Sequence, residues 1–233
     1  MNEKNHEAPG ASAPMPVWDS LNLDITACRR CPRLVAWREE VARVKRRAFR
    51  DETYWGRPVP GFGDRSARVL IIGLAPAAHG ANRTGRMFTG DSSGDFLYAA
   101  LHRFGFANRP TSRSRDDGLT LTGAFISAAC RCAPPDNKPA PAELVACLPF
   151  LRQEIALLPN LRVVVVLGRV AFDIVPLVFA PQPLMFAHGA SYTLGPGLPA
   201  LVASYHPSRQ NTQTGRLTAE MFDRVWTRVR ELL

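Results

Sequence analysis

Residues 68–74 read Arg68-Val69-Leu70-Ile71-Ile72-Gly73-Leu74, an aliphatic run closed by glycine. A strand with one wet face alternates apolar and polar residues, so an unbroken run predicts a strand covered on both faces, as in a parallel sheet. Arg162-Val163-Val164-Val165-Val166-Leu167 has the same character and stops at Gly168. Two more strands are predicted over 122–129 and 201–205. Helical spacing is predicted over Ser92 to Phe104, Pro141 to Leu158, from Val170, and over Thr218 to Leu232, with Met221, Val225, Val229 and Leu232 on one stripe of the last. Strand and helix alternate, which predicts an α/β fold: a three-layer sandwich with a four-stranded parallel sheet between helices. A helix over Leu34 to Arg50, stopped by Pro58 and Pro60, caps it at the amino-terminal side.

Parallel strands open their carboxyl ends on one edge, where α/β sheets bind ligands. Two stretches follow strands onto that edge. Gly73 to Asp91 contains four glycines, so its backbone can approach a flat ligand closely. It lacks G-x-G-x-x-G and a Walker lysine, which argues against phosphate cradling in either standard form. Phe88 in this loop is suited to stacking on a base or to anchoring the loop. Asp91 or Ser92 can serve as the N-cap of the helix that follows, a role that for Asp91 is worth about 1 kcal/mol without any active site. His206 changes the weighing, because it brings a second titratable group to the same edge and leads into Pro207, Ser208, Arg209, Gln210 and Asn211.

The net charge of +9 comes from arginine: of 29 basic residues only Lys4, Lys45 and Lys138 are lysines. Guanidinium forks suit phosphate oxygens, which favours a nucleic-acid partner over a membrane surface, although GC-rich coding sequence also prefers arginine. Residues 1–16 are polar and rich in Pro, Ala and Gly, without the pattern of an export signal, and read as a disordered tail before a single domain over 17–233. The most apolar stretch, 161–180, is broken by Arg162, Arg169, Asp173 and Pro176, so no membrane span is expected. A monomeric cytoplasmic protein is expected.

Five cysteines in a reducing compartment point to metal ligation rather than disulfides. Cys28 and Cys31 have C-x2-C spacing, while Cys130, Cys132 and Cys147 lie about a hundred residues on. A distant second pair would complete four-thiolate coordination and stitch the cap to the middle of the sheet. Spacing leaves zinc and an iron-sulfur cluster both open. Ala133-Pro134-Pro135 suggests that the strand ends at Cys132, which places that residue at the mouth and Cys130 within the sheet.

At these residues the chain resembles the uracil-DNA glycosylase superfamily, in particular its fifth family, over residues 20–233. The motifs that carry the resemblance are GLAPAAHGANRTGRMFTGD (73–91), HPSRQNTQTGRL (206–217), CRRCPRL, RCAPPDNKP and the Cys147 of ELVACLPFL. The resemblance implies a 4Fe-4S cluster on Cys28, Cys31, Cys132 and Cys147, with Cys130 left over. It implies that Phe88 stacks on an extruded base, that Gly73, Leu74 and Ala75 line the base pocket, and that Asp91, Asn137 and His206 act in or near the chemistry. Ser208, Arg209, Gln210 and Asn211 are expected at the DNA, in a loop over 208–214. The implied activity is hydrolysis of the N-glycosidic bond of uracil and other deaminated bases such as hypoxanthine, leaving an abasic site. Three departures matter: Leu74 stands where many relatives activate water with a polar residue, Ala128 where related families read uracil with Asn, and Met87 where Pro usually precedes the Phe. They imply that Asp91 takes over the water, that base selectivity is relaxed, and that the stacking ring sits more loosely. Two rival readings are a non-catalytic iron-sulfur DNA-binding or redox-sensing module, and a zinc-stabilised nucleoside hydrolase.

Overall fold

Every residue of Val69–Gly73, Ala124–Ala128 and Val163–Leu167 is buried, as unbroken aliphatic runs require of strands covered on both faces. The computed structural model describes residues 17–179 and 183–233. The tail expected over residues 1–16 lies outside the described residues. In chain order, helices α1 (Val17–Ala27) and α2 (Pro32–Val44) precede strands β1 (Phe62–Gly63) and β2 (Val69–Gly73). Helices α3 (Ala81–Thr84) and α4 (Ser92–Arg103), strand β3 (Ala124–Ala128), helix α5 (Pro141–Ala156) and strand β4 (Val163–Leu167) follow. The chain continues through helices α6 (Arg169–Asp173) and α7 (Val175–Val178), strands β5 (Ser191–Thr193) and β6 (Ala200–Ser204), and helices α8 (Arg209–Gln213) and α9 (Ala219–Glu231).

The sheet has six strands in the order β1-β3-β2-β4-β6-β5. The four expected strands form its parallel centre, in the register Val69↔Ala124, Val69↔Val163 and Val163↔Ala200. The expected count of four is corrected by β1 and β5, which pair antiparallel at the two edges. Alternate residues of each central strand serve different layers. Val163, Val165 and Leu167 pack with Leu97, Tyr98 and Leu101 of α4 and with Phe222, Val225 and Trp226 of α9. Val164 and Val166 pack on the other face with Leu148 and Leu151 of α5 and with Phe172 of α6. Each such aliphatic burial contributes about 1.5–3 kcal/mol, which holds the strand ends where the site needs them.

Contacts from both α1 and α2 fasten the cap to α5. Leu21 and Ile25 of α1 pack against Phe150 of α5. Arg33, at the start of α2, forks onto Glu143 of α5 through Nε (2.9 Å) and Nη2 (2.6 Å), and the guanidinium holds that carboxyl below its ordinary pKa. Among the described residues no helix is long and apolar enough to cross a membrane.

Candidate active site

β2 and β6 lie either side of β4, and their carboxyl ends deliver Gly73 and His206 to one cavity of about 330 Å³, its open mouth included. Its lining includes Gly73, Ala75, Phe88, Asp91, Ala128 and His206. Distant stretches of sequence thus converge, as the shared sheet edge predicts.

Asp91 is the N-cap of α4, and its Oδ1 accepts from the backbone N–H of Ser93 and of Gly94, both at 3.0 Å. That leaves Oδ2, which lies against Gly80 so closely that a Cβ there would overlap it. Burial raises the Asp91 pKa above its ordinary value, and the two amide hydrogen bonds oppose the rise. One oxygen is therefore consumed by folding while the other stays available for chemistry. The capping reading and the catalytic reading are compatible, because they use different atoms.

His206 is half-buried, and desolvation of its charged form lowers its pKa to about 4. At neutral pH it is an uncharged imidazole, able to donate one N–H without carrying charge. Its ring stacks on Phe88 with centroids 5.9 Å apart and planes 29° apart. Asn211 Nδ2 donates to the His206 carbonyl (2.9 Å), which ties the following turn to the histidine.

Phe88 adopts φ 52°, a left-handed backbone that is unfavourable for a bulky side chain. Such strain persists only where the surroundings enforce it. Tyr98 Oη donates to the Met87 carbonyl at 2.9 Å. On the other side Thr89 is buried, its Oγ1 bonded to Arg86 Nε (2.9 Å) and Ser112 Oγ (2.6 Å). With both neighbours pinned, the Phe88 ring swings over the end of β2, where a Cβ on Gly73 would come within 2.7 Å of it. The looseness expected from Met87 is corrected here, since that residue is buried and its carbonyl is fixed.

Other expected site residues lie elsewhere. Leu74 is half-buried and does not line the cavity; its carbonyl accepts from Cys130 N–H (2.9 Å), prolonging the β2–β3 pairing. Asn137 is exposed on a 3₁₀ turn over Pro135–Asn137 beyond β3, also outside the lining, and it and Asp136 have left-handed φ angles of 56° and 53°. The expected loop over 208–214 is instead mostly the short helix α8, with Ser208 as its N-cap. Arg209 and Gln210 are exposed on it, whereas Ser208 and Asn211 shape the turn. Sequence reasoning missed Gly80, Arg86 and Tyr98 as supports. A glycine in the first motif was the signal for Gly80; the other two act through contacts that only the fold reveals.

Cys28, Cys31, Cys132 and Cys147 border a second cavity of about 310 Å³, its open part included, together with Arg38, Arg131 and Phe150. Cys130 is fully buried beside it and does not line it. Among the described residues no three His, Cys, Asp or Glu side chains are placed to hold a metal ion. Arg38 is 2% exposed, donates to Cys132 Sγ at 2.9 Å, and has a buried Nε without a hydrogen-bond partner. A buried cation facing sulfurs fits a thiolate-ligated anionic group, which would balance its charge.

A sequence model described as "Uracil DNA glycosylase superfamily" matches residues 60–230. A protein of Thermus thermophilus named "Type-5 uracil-DNA glycosylase" is 57% identical over 210 residues, covering 89% of this chain and 94% of its own. Proteins of the same name from Mycobacterium tuberculosis and Pyrobaculum aerophilum are 54% and 45% identical, each over 91% of this chain and over 80% and 91% of their own lengths. With the convergent pocket, these likenesses over most of the chain lead to one conclusion: the chain belongs to the uracil-DNA glycosylase superfamily, in its type-5 branch.

Proposed function

We propose that the protein removes uracil and other deaminated bases, hypoxanthine among them, from DNA by hydrolysing the N-glycosidic bond, leaving an abasic site. The observation that carries this reading is the placement of Asp91, His206 and Phe88 around one cavity at the sheet edge. Breaking the bond between the sugar and the base nitrogen builds positive charge on the sugar and negative charge on the departing base, so the site must stabilise both. Asp91, as the carboxylate, offers Oδ2 to the sugar and to the attacking water. Neutral His206 donates its N–H to the oxygen of the leaving base. Phe88 stacks on the heterocycle, and the backbone of Gly73 and Ala75 bounds its edge. Asn137 would act from the segment after β3, on the DNA side of the site. The nucleotide must leave the duplex first, at a cost of a few kcal/mol that is smallest for weakly paired bases, so deamination itself favours capture.

Ala128 lines the cavity with a methyl group and no hydrogen-bonding function. A pocket without such a group discriminates weakly, by about 10²-fold, whereas one that hydrogen-bonds the substrate rejects analogues by about 10⁴–10⁵. Excision from duplexes carrying uracil, hypoxanthine or xanthine is therefore expected to differ by no more than about 10². Uracil excision with no detectable release of the other two would contradict relaxed selectivity. A non-catalytic module would release no base from any of the three duplexes.

We further propose a 4Fe-4S cluster on Cys28, Cys31, Cys132 and Cys147 in a monomeric cytoplasmic enzyme, supported by the thiol-bordered cavity and by Arg38. One thiolate per iron spreads the ligands around a group larger than a single ion, which suits thiols that border a cavity. Bound there, the cluster would brace the cap against the sheet. Purified protein should be brown with broad visible absorption, Cys132→Ser should lose the colour, and Cys130→Ser should keep it. Colour that survives Cys132→Ser and disappears in Cys130→Ser would reverse that assignment.

A further inference from the structure

The arginine-rich loop over 109–118 is left unexplained by the pocket, yet it is built against it. Gly90, the residue before Asp91, donates its N–H to the Ser112 carbonyl at 2.9 Å. The loop is held from beneath by Arg86, which is 4% exposed. Arg86 donates to the Arg115 carbonyl (3.0 Å), to Ser112 Oγ (2.8 Å) and to Asp117 Oδ2 (2.8 Å). Asp117 in turn accepts from the backbone N–H groups of Arg113, Ser114 and Leu119. That carboxylate is spent on the loop's own framework, so of the loop's exposed charges Arg113 and Arg115 are opposed only by Asp116.

Arg113 is exposed, and among the described residues its guanidinium has no partner. Arg115 lies over the Trp55 ring, 4.6 Å from its centroid, and Arg57 lies against the same ring at 5.2 Å. The ring itself is fixed, because Trp55 Nε1 donates to the Pro58 carbonyl (3.1 Å) and its backbone N–H to that of Arg83 (2.8 Å). Neither Arg57 nor Arg115 pairs with a carboxylate among the described residues. Exposed guanidiniums stacked on an aromatic ring keep their N–H groups free and their orientation restricted, the preparation that phosphate oxygens reward. Many other surface arginines are spent on carboxylates: Arg29 on Glu39, Arg43 on Glu40, Arg103 on Asp223 and Arg169 on Asp173.

We infer that Arg57, Arg113 and Arg115 form a phosphate-binding wing that grips the DNA backbone beside the extruded nucleotide. The inference rests on the glycosylase reading and adds to it a surface outside the 206–217 motif. The wing hangs from the segment that carries Asp91, while exposed Arg209 follows His206, so each titratable group of the pocket has a cationic element attached to its own segment. Phosphate contacts position DNA without reading its sequence, which suits an enzyme that must meet a damaged base in any context.

The test is the salt dependence of binding to a duplex oligonucleotide with a single uracil, measured by anisotropy with the full chain at low temperature, with excision followed in parallel. Each phosphate contact removed lowers the slope of log K against log salt by about 0.9. The Arg113→Gln, Arg115→Gln double variant should therefore lose about 1.8 of the slope, and Arg57→Gln about half as much. Arg162→Gln, at the amino end of β4 and so on the opposite edge of the sheet, should leave slope and excision unchanged. Should the double variant melt early, Arg113→Gln alone carries the test, because its guanidinium has no structural partner among the described residues. An unchanged slope in these variants while uracil is still excised overturns the wing alone. Wild-type protein that releases no uracil from the duplex overturns the glycosylase reading on which the wing rests.

Discussion

Replacing Asp91 with Asn is expected to abolish most uracil excision while leaving the fold and DNA binding intact. Asn caps helices as well as Asp does, so the side-chain oxygen that accepts from Ser93 and Gly94 survives the change. What disappears is the negative charge on Oδ2 at the pocket. Leu74, which neither lines the cavity nor can activate water, offers no substitute. A positioned acid or base contributes about 10²–10⁴-fold, and a loss of that size in single-turnover rate is expected with an unaltered melting temperature. Full activity in the variant would move the role to Asn137 or His206.

The same carboxylate sets the acid side of the pH profile. Catalysis needs Asp91 ionised, and burial raises its pKa above the ordinary value. Activity should accordingly fall as pH drops, beginning at a higher pH than a solvated aspartate would give. His206, with a pKa of about 4, is largely neutral above that pH, so its proton enters only at the acid end of the profile. The part of the acid limb above about pH 4 should therefore report Asp91 alone. In Asp91→Asn the residual activity should lose that limb.

His206→Ala carries the second large effect. Removing one donor from a site that stabilises developing negative charge costs about 10²–10³-fold in rate. Because the imidazole is neutral, its loss removes a hydrogen bond without removing a charge, so the acid limb governed by Asp91 should keep its position. The variant also deprives Phe88 of its stacked neighbour. His206→Gln, which keeps an N–H donor but not the flat ring, separates these contributions: partial recovery of rate would assign the loss to the hydrogen bond. A steep acid limb shifted by His206→Ala would instead mean that the histidine works as a cation.

The central architecture was legible because it is written in long local patterns. Val163 to Leu167 admits little else than a doubly covered strand, and Asp91 before Ser92-Ser93-Gly94 marks a helix start. The edge strands Phe62–Gly63 and Ser191–Thr193 have two and three partly exposed residues, too few for any period to show. Helix α1 went unread because only Leu21 and Ile25 are buried on it. Helix α8 has no buried residue, and Arg-Gln-Asn-Thr-Gln resembles a loop; the cap at Ser208 was the one signal available. Within the site, the residue types at the sheet edge were readable, but their physical state was not. The neutrality of His206 follows from burial, the left-handed Phe88 from clamps at Met87 and Thr89, and the braced arginine loop from Arg86, all of which depend on contacts distant in sequence.

The most direct test incubates the wild-type protein with a duplex carrying one uracil and then breaks abasic sites with alkali. Strand scission at the uracil position, dependent on Asp91, is expected. DNA that is bound yet remains whole after alkali would contradict it.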